Sequence, residues 1–323
     1  MTHVFILAAA LLIEAAFGFP QALFRTIRHP VVWFGAVISL CDRSLNRPTL
    51  SFATRKALGV AGLAVLLSVV VGTSAFLQTL LLHTLPFALA IAVLGLLTSS
   101  LLAQRSLWSH VHDVATGLEH RGLEGGRDMV SRIVGRNPQS LDEAGVIRAA
   151  IESLAENFAD GVVAPALWCA IAGLPGIAFY KSVNTADSMI GHRSERHEAY
   201  GWAAARLDDL INLPASRLAA FWIVLAATIL PNATPGAALR AMFRDARTHR
   251  SPNAGWPEAA MAGALGLRLA GPRVYGHTTI EDGWMGRGRA EATIPDLHRA
   301  LSLYRLACGL QIAAVLALVI AQV

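Results

Sequence analysis

Apolar residues fill four long stretches of the chain, at about 4–19, 57–82, 85–103 and 301–323. A helix needs about 20 such residues to cross the hydrocarbon core of a bilayer, so these stretches predict membrane spans. Only His83 and Thr84 separate the second from the third, and Pro86 opens the next helix. The two spans are therefore expected to form a tight antiparallel hairpin. Two further apolar stretches, 162–180 and 218–230, fit less simply. The first contains Pro165, Gly173, Pro175 and Gly176, and the second is short for a span. Broken apolar helices are tolerated where they are buried in protein or line a cavity. Re-entrant or half-buried helices are thus expected here in preference to two full crossings. No segment shows sustained alternation with period two. The pattern predicts an all-α fold, a polytopic membrane helical bundle with broken or re-entrant helices.

Composition agrees. The 323 residues are 54% hydrophobic and 15% charged, with a mean hydropathy of +0.49, whereas ordinary globular chains carry about 25% charged residues. The apolar stretches reach from one end to the other, so residues 1–323 read as one integral membrane domain. The loop from Pro20 to Lys56 carries Arg25, Arg28, Arg43, Arg47, Arg55 and Lys56 against the single acid Asp42. The excess of Lys and Arg on cytoplasmic loops assigns it to the cytoplasm. The N-terminus and the 83–84 turn then fall outside, and the polar stretch 104–161 returns to the cytoplasm. The net charge of +5 is spread over such loops without a long basic run, which excludes a nucleic-acid arm. Cys41, Cys169 and Cys308 are too far apart in sequence to suggest a disulfide framework or a zinc cluster and read as packed thiols. The first apolar run lacks a basic leader and is interrupted by Glu14, so it reads as a retained helix and not as a cleaved signal.

The polar residues concentrate in four blocks, 29–31, 149–161, 180–212 and 244–258, each beside an apolar segment. In the second block Glu152, Glu156 and Asp160 recur every four residues and would lie on one stripe of a helix, with Asn157 adjacent. Three like charges in a row need a positive partner, and Mg²⁺, which takes one or two carboxylates plus substrate phosphates, suits them. In the third block Asn184 and Asp187 are one turn apart, as are Asp209 and Asn212. Asp208 and Asp209 point to different sides of a helix, so Arg206 cannot neutralise both, and one acid is expected to remain for a metal or a substrate. The fourth block is dense in Arg, with Arg244 and Arg247 near His249, and Ser251-Pro252-Asn253 followed by Gly255-Trp256-Pro257 forces a turn. Arg is suited to bidentate recognition of phosphate or carboxylate. The P-loop and dinucleotide glycine signatures are absent, so any ATP site has another form.

Taken in order, His29-Pro30-Val31, Ala149 to Ala166, Tyr180 to Gly191, Gly201 to Asp209 and Arg244 to Gly263 resemble the adenosylcobinamide-phosphate synthase family of cobalamin biosynthesis, the CobD/CbiB type. The similarity covers nearly the whole chain. It implies a multi-pass enzyme of the cytoplasmic (inner) membrane, with a cytoplasm-facing active site. The reaction joins a propionate of adenosylcobyric acid to aminopropanol or its phosphate, with ATP as co-substrate and Mg²⁺ as cofactor. The corrinoid, the amine and the lipid bilayer are the partners it implies, with no nucleic acid. Whether the chain pairs with itself or with other enzymes of the pathway stays open. One departure is visible: the family has Gly-Asp-Pro after the first helix where this chain has Gly18-Phe19-Pro20.

On this reading Glu152, Glu156, Asp160, Asp187, Asp208 and Asp209 form the Mg²⁺-binding pool. Lys181, Arg206 and His249 are the candidates closest to the chemistry, with His249 as base toward the amine. Asn157, Asn184, Arg244, Arg247, Asn253 and Trp202 are the candidates for substrate and phosphate binding. Trp168, Trp202 and Trp256 are expected to roof a single cavity. Two rivals remain. Asp160-Gly161-Val-Val-Ala164 begins like the motif of membrane phosphotransferases that use activated alcohols, but Pro165 stands where Arg should follow. A corrinoid transporter would also carry acids in broken helices, but no internal repeat supports it.

Overall fold

The structure, a computed structural model, describes residues 2–18, 29–134, 138–271, 273–275, 278–280 and 283–322. Phe19 and Pro20, and so the departure noted above, lie outside the described residues. Eleven helices account for most of what is described: α1 (Thr2–Phe17), α2 (Pro30–Leu45), α3 (Phe52–Thr84), α4 (Phe87–Ser99), α5 (Gln104–Val130), α6 (Glu143–Phe158), α7 (Ala164–Ile190), α8 (Trp202–Ala227), α9 (Pro235–Asp245), α10 (Gly255–Leu265) and α11 (Ile294–Ile320). Among the described residues, five helical stretches are long and apolar enough to cross a membrane: Phe52–Thr84, Phe87–Val130, Glu143–Ile190, Trp202–Ala227 and Ile294–Ile320, with Thr2–Phe17 as a shorter apolar helix. The fold is that of an all-α polytopic membrane protein.

The chain forms two compact units that interleave in sequence. The first comprises 1–103, 164–212 and 315–323, the second 104–163 and 213–314.

In the first unit α1 packs on α4 and α7, and α3 packs on α7. Small residues permit the close approach that membrane helices rely on: a Cβ on Gly95 would stand 2.6 Å from that of Ala9. The apolar stretch 162–180 is indeed broken. Gly173 takes φ 66°, and the chain folds back there. Gly176 then lies so close to the Trp168 carbonyl that a side chain at 176 would overlap it, and the Trp168 and Phe179 rings meet at 5.3 Å. Such a break exposes backbone groups that cannot go unpaired in an apolar surrounding. The Leu174 N–H donates to Gln78 Oε1 at 2.8 Å, and His3 Nδ1 lies 3.0 Å from the Ile171 carbonyl oxygen.

The second unit is built on α6, whose residues Ile147, Ile151, Leu154 and Phe158 are fully buried. Phe158 meets Tyr304 of α11 edge to face at 5.4 Å, and the Tyr304 hydroxyl donates to the Gln104 carbonyl at 2.8 Å. The long polar stretch after residue 104 folds as a second helical hairpin. It reverses at Gly122, with φ 62°, and the backbones of Gly117 and Gly125 touch across it. Four strands of two or three residues, β1 (Leu269–Ala270), β2 (Arg273–Tyr275), β3 (Thr278–Ile280) and β4 (Trp284–Met285), pair antiparallel as β1 with β4 and β2 with β3. They are too short to leave a period-two signal in the sequence. The apolar run 218–230 is not an element of its own. Most of it is the second half of α8, whose first half carries Arg206, Asp208, Asp209 and Asn212.

Candidate functional site

The sequence blocks divide between the units. Blocks 29–31 and 180–212 belong to the first, 149–161 and 244–258 to the second.

In the first unit the centre is Asp208, which is buried. Asn212, one turn further along α8, donates to its Oδ2 at 3.0 Å, and Asn184 of α7 donates to its Oδ1 at 3.3 Å. The Tyr180 hydroxyl donates in turn to Asn212 Oδ1 at 3.0 Å, which fixes that amide with its N–H toward the acid. Asp187 and Asp209 both lie close enough for their charges to act on Asp208. Asp209 takes the Arg206 guanidinium at 3.4 Å. Arg206 thus pairs with Asp209 alone, while two side-chain amides orient Asp208. Trp202, at the start of α8, is exposed, with Lys56 Nζ 3.6 Å from the ring centroid.

His29 caps α2, its Nδ1 accepting from the Val31 N–H at 3.2 Å, with Pro30 as the first helical residue. Burial, reinforced by the Lys181 ammonium, holds its imidazole below the ordinary histidine range, despite a hydrogen bond to the Ser100 backbone that works the other way. This places Lys181 within electrostatic reach of the first block.

The second unit breaks up the acidic stripe of the second block. Glu152 is buried and accepts the Ala270 N–H at 2.9 Å, which ties α6 to β1 at a residue with φ 58°. Glu156 and Asn157 are exposed, with the Asn157 amide donating to the Ser153 carbonyl and hydroxyl. Asp160 sits in a π-helical turn, Ala159–Val163. Asp160 therefore stands where the regular α-helical repeat ends. Such turns recur at functional sites.

The fourth block is a folded cluster. Arg244 makes a bidentate pair with Asp245 at 2.5 and 2.6 Å, and Asp245 accepts the Gly286 N–H at 2.8 Å. His249 Nδ1 accepts from the Ser251 N–H at 3.0 Å, and its Nε2 lies 3.8 Å from Glu258 Oε1. While Nδ1 accepts that bond it is not open to another proton, and the Ser251 contact must give way before Nδ1 can act as a base. Asn253 Oδ1 accepts from Ser216 and Arg217 at 3.2 and 3.1 Å. The Arg217 guanidinium stacks 4.5 Å above Trp256 and lies close enough to exposed Arg247 for the two charges to act on each other. Trp168 belongs to the first unit, where its indole N–H donates to the Ile211 carbonyl at 3.3 Å.

Arg217 and Glu258 are the functional candidates that sequence reasoning passed over. Arg217 is a single cation near the start of an apolar run. Glu258 closed a block in which the basic residues drew the eye. Among the described residues no three His, Cys, Asp or Glu side chains converge as a complete metal-ligand set. The donor set around Asp208 nevertheless suits Mg²⁺, which is held by one or two carboxylates and completes its shell with water and phosphate oxygens.

Residues 7–304 match the model of the family described as "CobD/Cbib protein". The chain is 50% identical over 327 residues to "Cobalamin biosynthesis protein CobD" of Sinorhizobium sp, covering 98% of both chains. It is 49% identical to the protein of that name from Rhizobium meliloti (strain 1021), over 94% of this chain and 93% of the relative. The corresponding figures for a relative of that name from Rhodobacter capsulatus are 45%, 95% and 94%. No solved structure gives a significant match.

Proposed function

The chain belongs to the CobD/Cbib protein family, and from that premise we propose that it is the ATP- and Mg²⁺-dependent amide synthase that joins adenosylcobyric acid to aminopropanol or aminopropanol phosphate. The observation that carries this reading is the match over nearly the full length of the chain, with relatives named for cobalamin biosynthesis. It is a carbon–nitrogen ligase, and the membrane it occupies is the cytoplasmic one, with its polar blocks toward the compartment that holds ATP.

The chemistry sets what the side chains must do. A carboxylate does not expel oxide, so it is first activated: a carboxylate oxygen attacks the γ-phosphorus of ATP, giving an acyl phosphate and ADP. The amine nitrogen then attacks the acyl carbon, the carbon–oxygen bond to phosphate breaks, and phosphate leaves as the amide forms. Mg²⁺, when bound, offsets charge on the transferring phosphoryl group. Asp208 with Asp187 in the first unit is the pair suited to hold it. The Asn184 and Asn212 amides fix the Asp208 oxygens beforehand, so no reorientation is required when the cation arrives. In the first unit Lys181 and Arg206 offer positive charge to phosphate oxygens, and in the second Arg247 and Arg217 do so. The amine loses a proton as the amide forms. His249 takes it once Ser251 releases Nδ1, with Glu258 stabilising the imidazolium.

The test is to incubate detergent-purified protein with adenosylcobyric acid, ATP, Mg²⁺ and each amine in turn. An ATP-dependent product with the mass of acid plus amine less water is expected. Its absence with both amines refutes the reading.

A further inference from the structure

The first unit contains a cavity of about 300 Å³ whose wall carries Arg193, Glu198, Trp202, Arg206 and Asp209. We propose that it binds a small aminoalkyl phosphate, with Arg193 and Arg206 on the phosphate and Glu198 and Asp209 on the ammonium group. The inference rests on the amide-synthase reading, to which it adds the site of the amine substrate.

Three observations support it. The first is size. This volume is at the lower limit of ligand pockets and suits a small ligand better than a whole corrinoid or nucleotide. The second is charge. Two guanidinium groups and two carboxylates line one space, a balance that suits a zwitterion and not a simple anion or cation. The pairing already present, Arg206 to Asp209 at 3.4 Å with both side chains partly exposed, is a weak surface pair that a ligand readily exchanges. Trp202, Arg206 and Asp209 also lie along one face of the first two turns of α8, and a helix N-terminus favours phosphate.

The third is rigidity. The segment 191–201, which carries Arg193 and Glu198, is fastened to α2 and α3. Arg196 pairs with Asp42 at 2.6 Å, the Asn46 amide donates to the Arg196 carbonyl at 2.9 Å, and Arg55 donates to the Glu195 and Arg196 carbonyls. Tyr200 lies against Gly59 and Gly62, where any side chain would overlap it. The cavity wall is thus set before a ligand arrives, which lowers the ordering cost of binding.

The experiment titrates aminopropanol phosphate, unphosphorylated aminopropanol and inorganic phosphate into the full-length protein by calorimetry, in detergent and in nanodiscs with and without phosphatidylethanolamine, whose headgroup carries the same chemistry. Aminopropanol phosphate is expected to bind most tightly. R193Q should weaken it at least tenfold while leaving unphosphorylated aminopropanol within twofold, and D209N should weaken both amines. R121Q, on the α5 hairpin, should match wild type. In the synthesis assay R193Q should raise KM for aminopropanol phosphate at least tenfold and change KM for ATP less than twofold. Synthesis by wild type, with binding and KM unchanged in R193Q and D209N, overturns the assignment and leaves the synthase reading standing. Binding that is lost in R193Q, in a protein that makes no amide, supports the cavity and removes the synthase reading. A bound phosphatidylethanolamine that aminopropanol phosphate does not displace overturns the assignment in favour of lipid.

Discussion

Asn212 lies one helical turn beyond Asp208 and donates its amide N–H to Oδ2 at 3.0 Å, while its own oxygen is held by the Tyr180 hydroxyl. The buried carboxylate is thereby oriented by a chain of side chains reaching across α7 and α8. A chain of this kind does two things that can be separated. It keeps the acid in place, and it leaves the acid's charge available.

If Asp208 acts through its charge, D208N should reduce amide synthesis about a hundredfold or more and raise the Mg²⁺ concentration needed for half-maximal rate. N212A removes only the orientation and should cost about tenfold. Rates measured against Mg²⁺ concentration distinguish the two. Equal, small losses in both variants would remove Asp208 from the metal site.

The break in α7 predicts a stability effect far from the chemistry. Gln78→Leu leaves the Leu174 N–H without its side-chain acceptor at Gly173, and a buried unpaired donor costs about 1–3 kcal/mol. Gln78→Glu keeps an acceptor and should lie closer to wild type. Thermal unfolding in detergent checks this. A Q78L protein as stable as wild type would mean that another group serves the broken backbone.

At His29 an acid-side loss is expected. Its folded-state pKa is held below the ordinary value of 6.5, first by burial and then by Lys181. The folded protein therefore binds this proton more weakly than the unfolded chain does. The stabilisation is fully present above pH 6.5 and is lost as the pH falls through the depressed folded value. Protonation also removes the acceptor that caps α2. H29N retains a capping side chain without a titrating group. The difference in Tm between wild type and H29N should therefore shift against wild type as the pH falls below 6.5. A difference that does not change over that window would contradict the assignment.

Three of the four long apolar runs lie in helices long and apolar enough to cross a membrane, and the first lies in the shorter helix Thr2–Phe17, because length and hydropathy alone define such helices. The break was legible in kind, from Pro165, Gly173, Pro175 and Gly176, but not in position. Only Gly173 takes the positive φ, and the partners that satisfy the break, His3 and Gln78, are distant in sequence. The spacing of the acids in the second block is legible in the sequence, but their burial is not. Glu152 is buried against the N–H of Ala270, 118 residues away, while Glu156 is exposed, and a π turn at Ala159–Val163 follows. Asp42 had registered only as the lone acid of a basic loop. Its role in fastening segment 191–201 depends on Arg196, 154 residues away. The same is true of Arg217, whose partners Asn253 and Trp256 are supplied by the turn of the fourth block.

The most direct measurement follows one atom of oxygen. Adenosylcobyric acid labelled with ¹⁸O in its free propionate is incubated with the purified protein, ATP, Mg²⁺ and aminopropanol phosphate, and the amide and the released phosphate are weighed by mass spectrometry. The account predicts an amide that has lost one labelled oxygen and inorganic phosphate that has gained it, both dependent on ATP. Amide formed without ATP, label recovered in AMP or water, or no amide from either amine would contradict it.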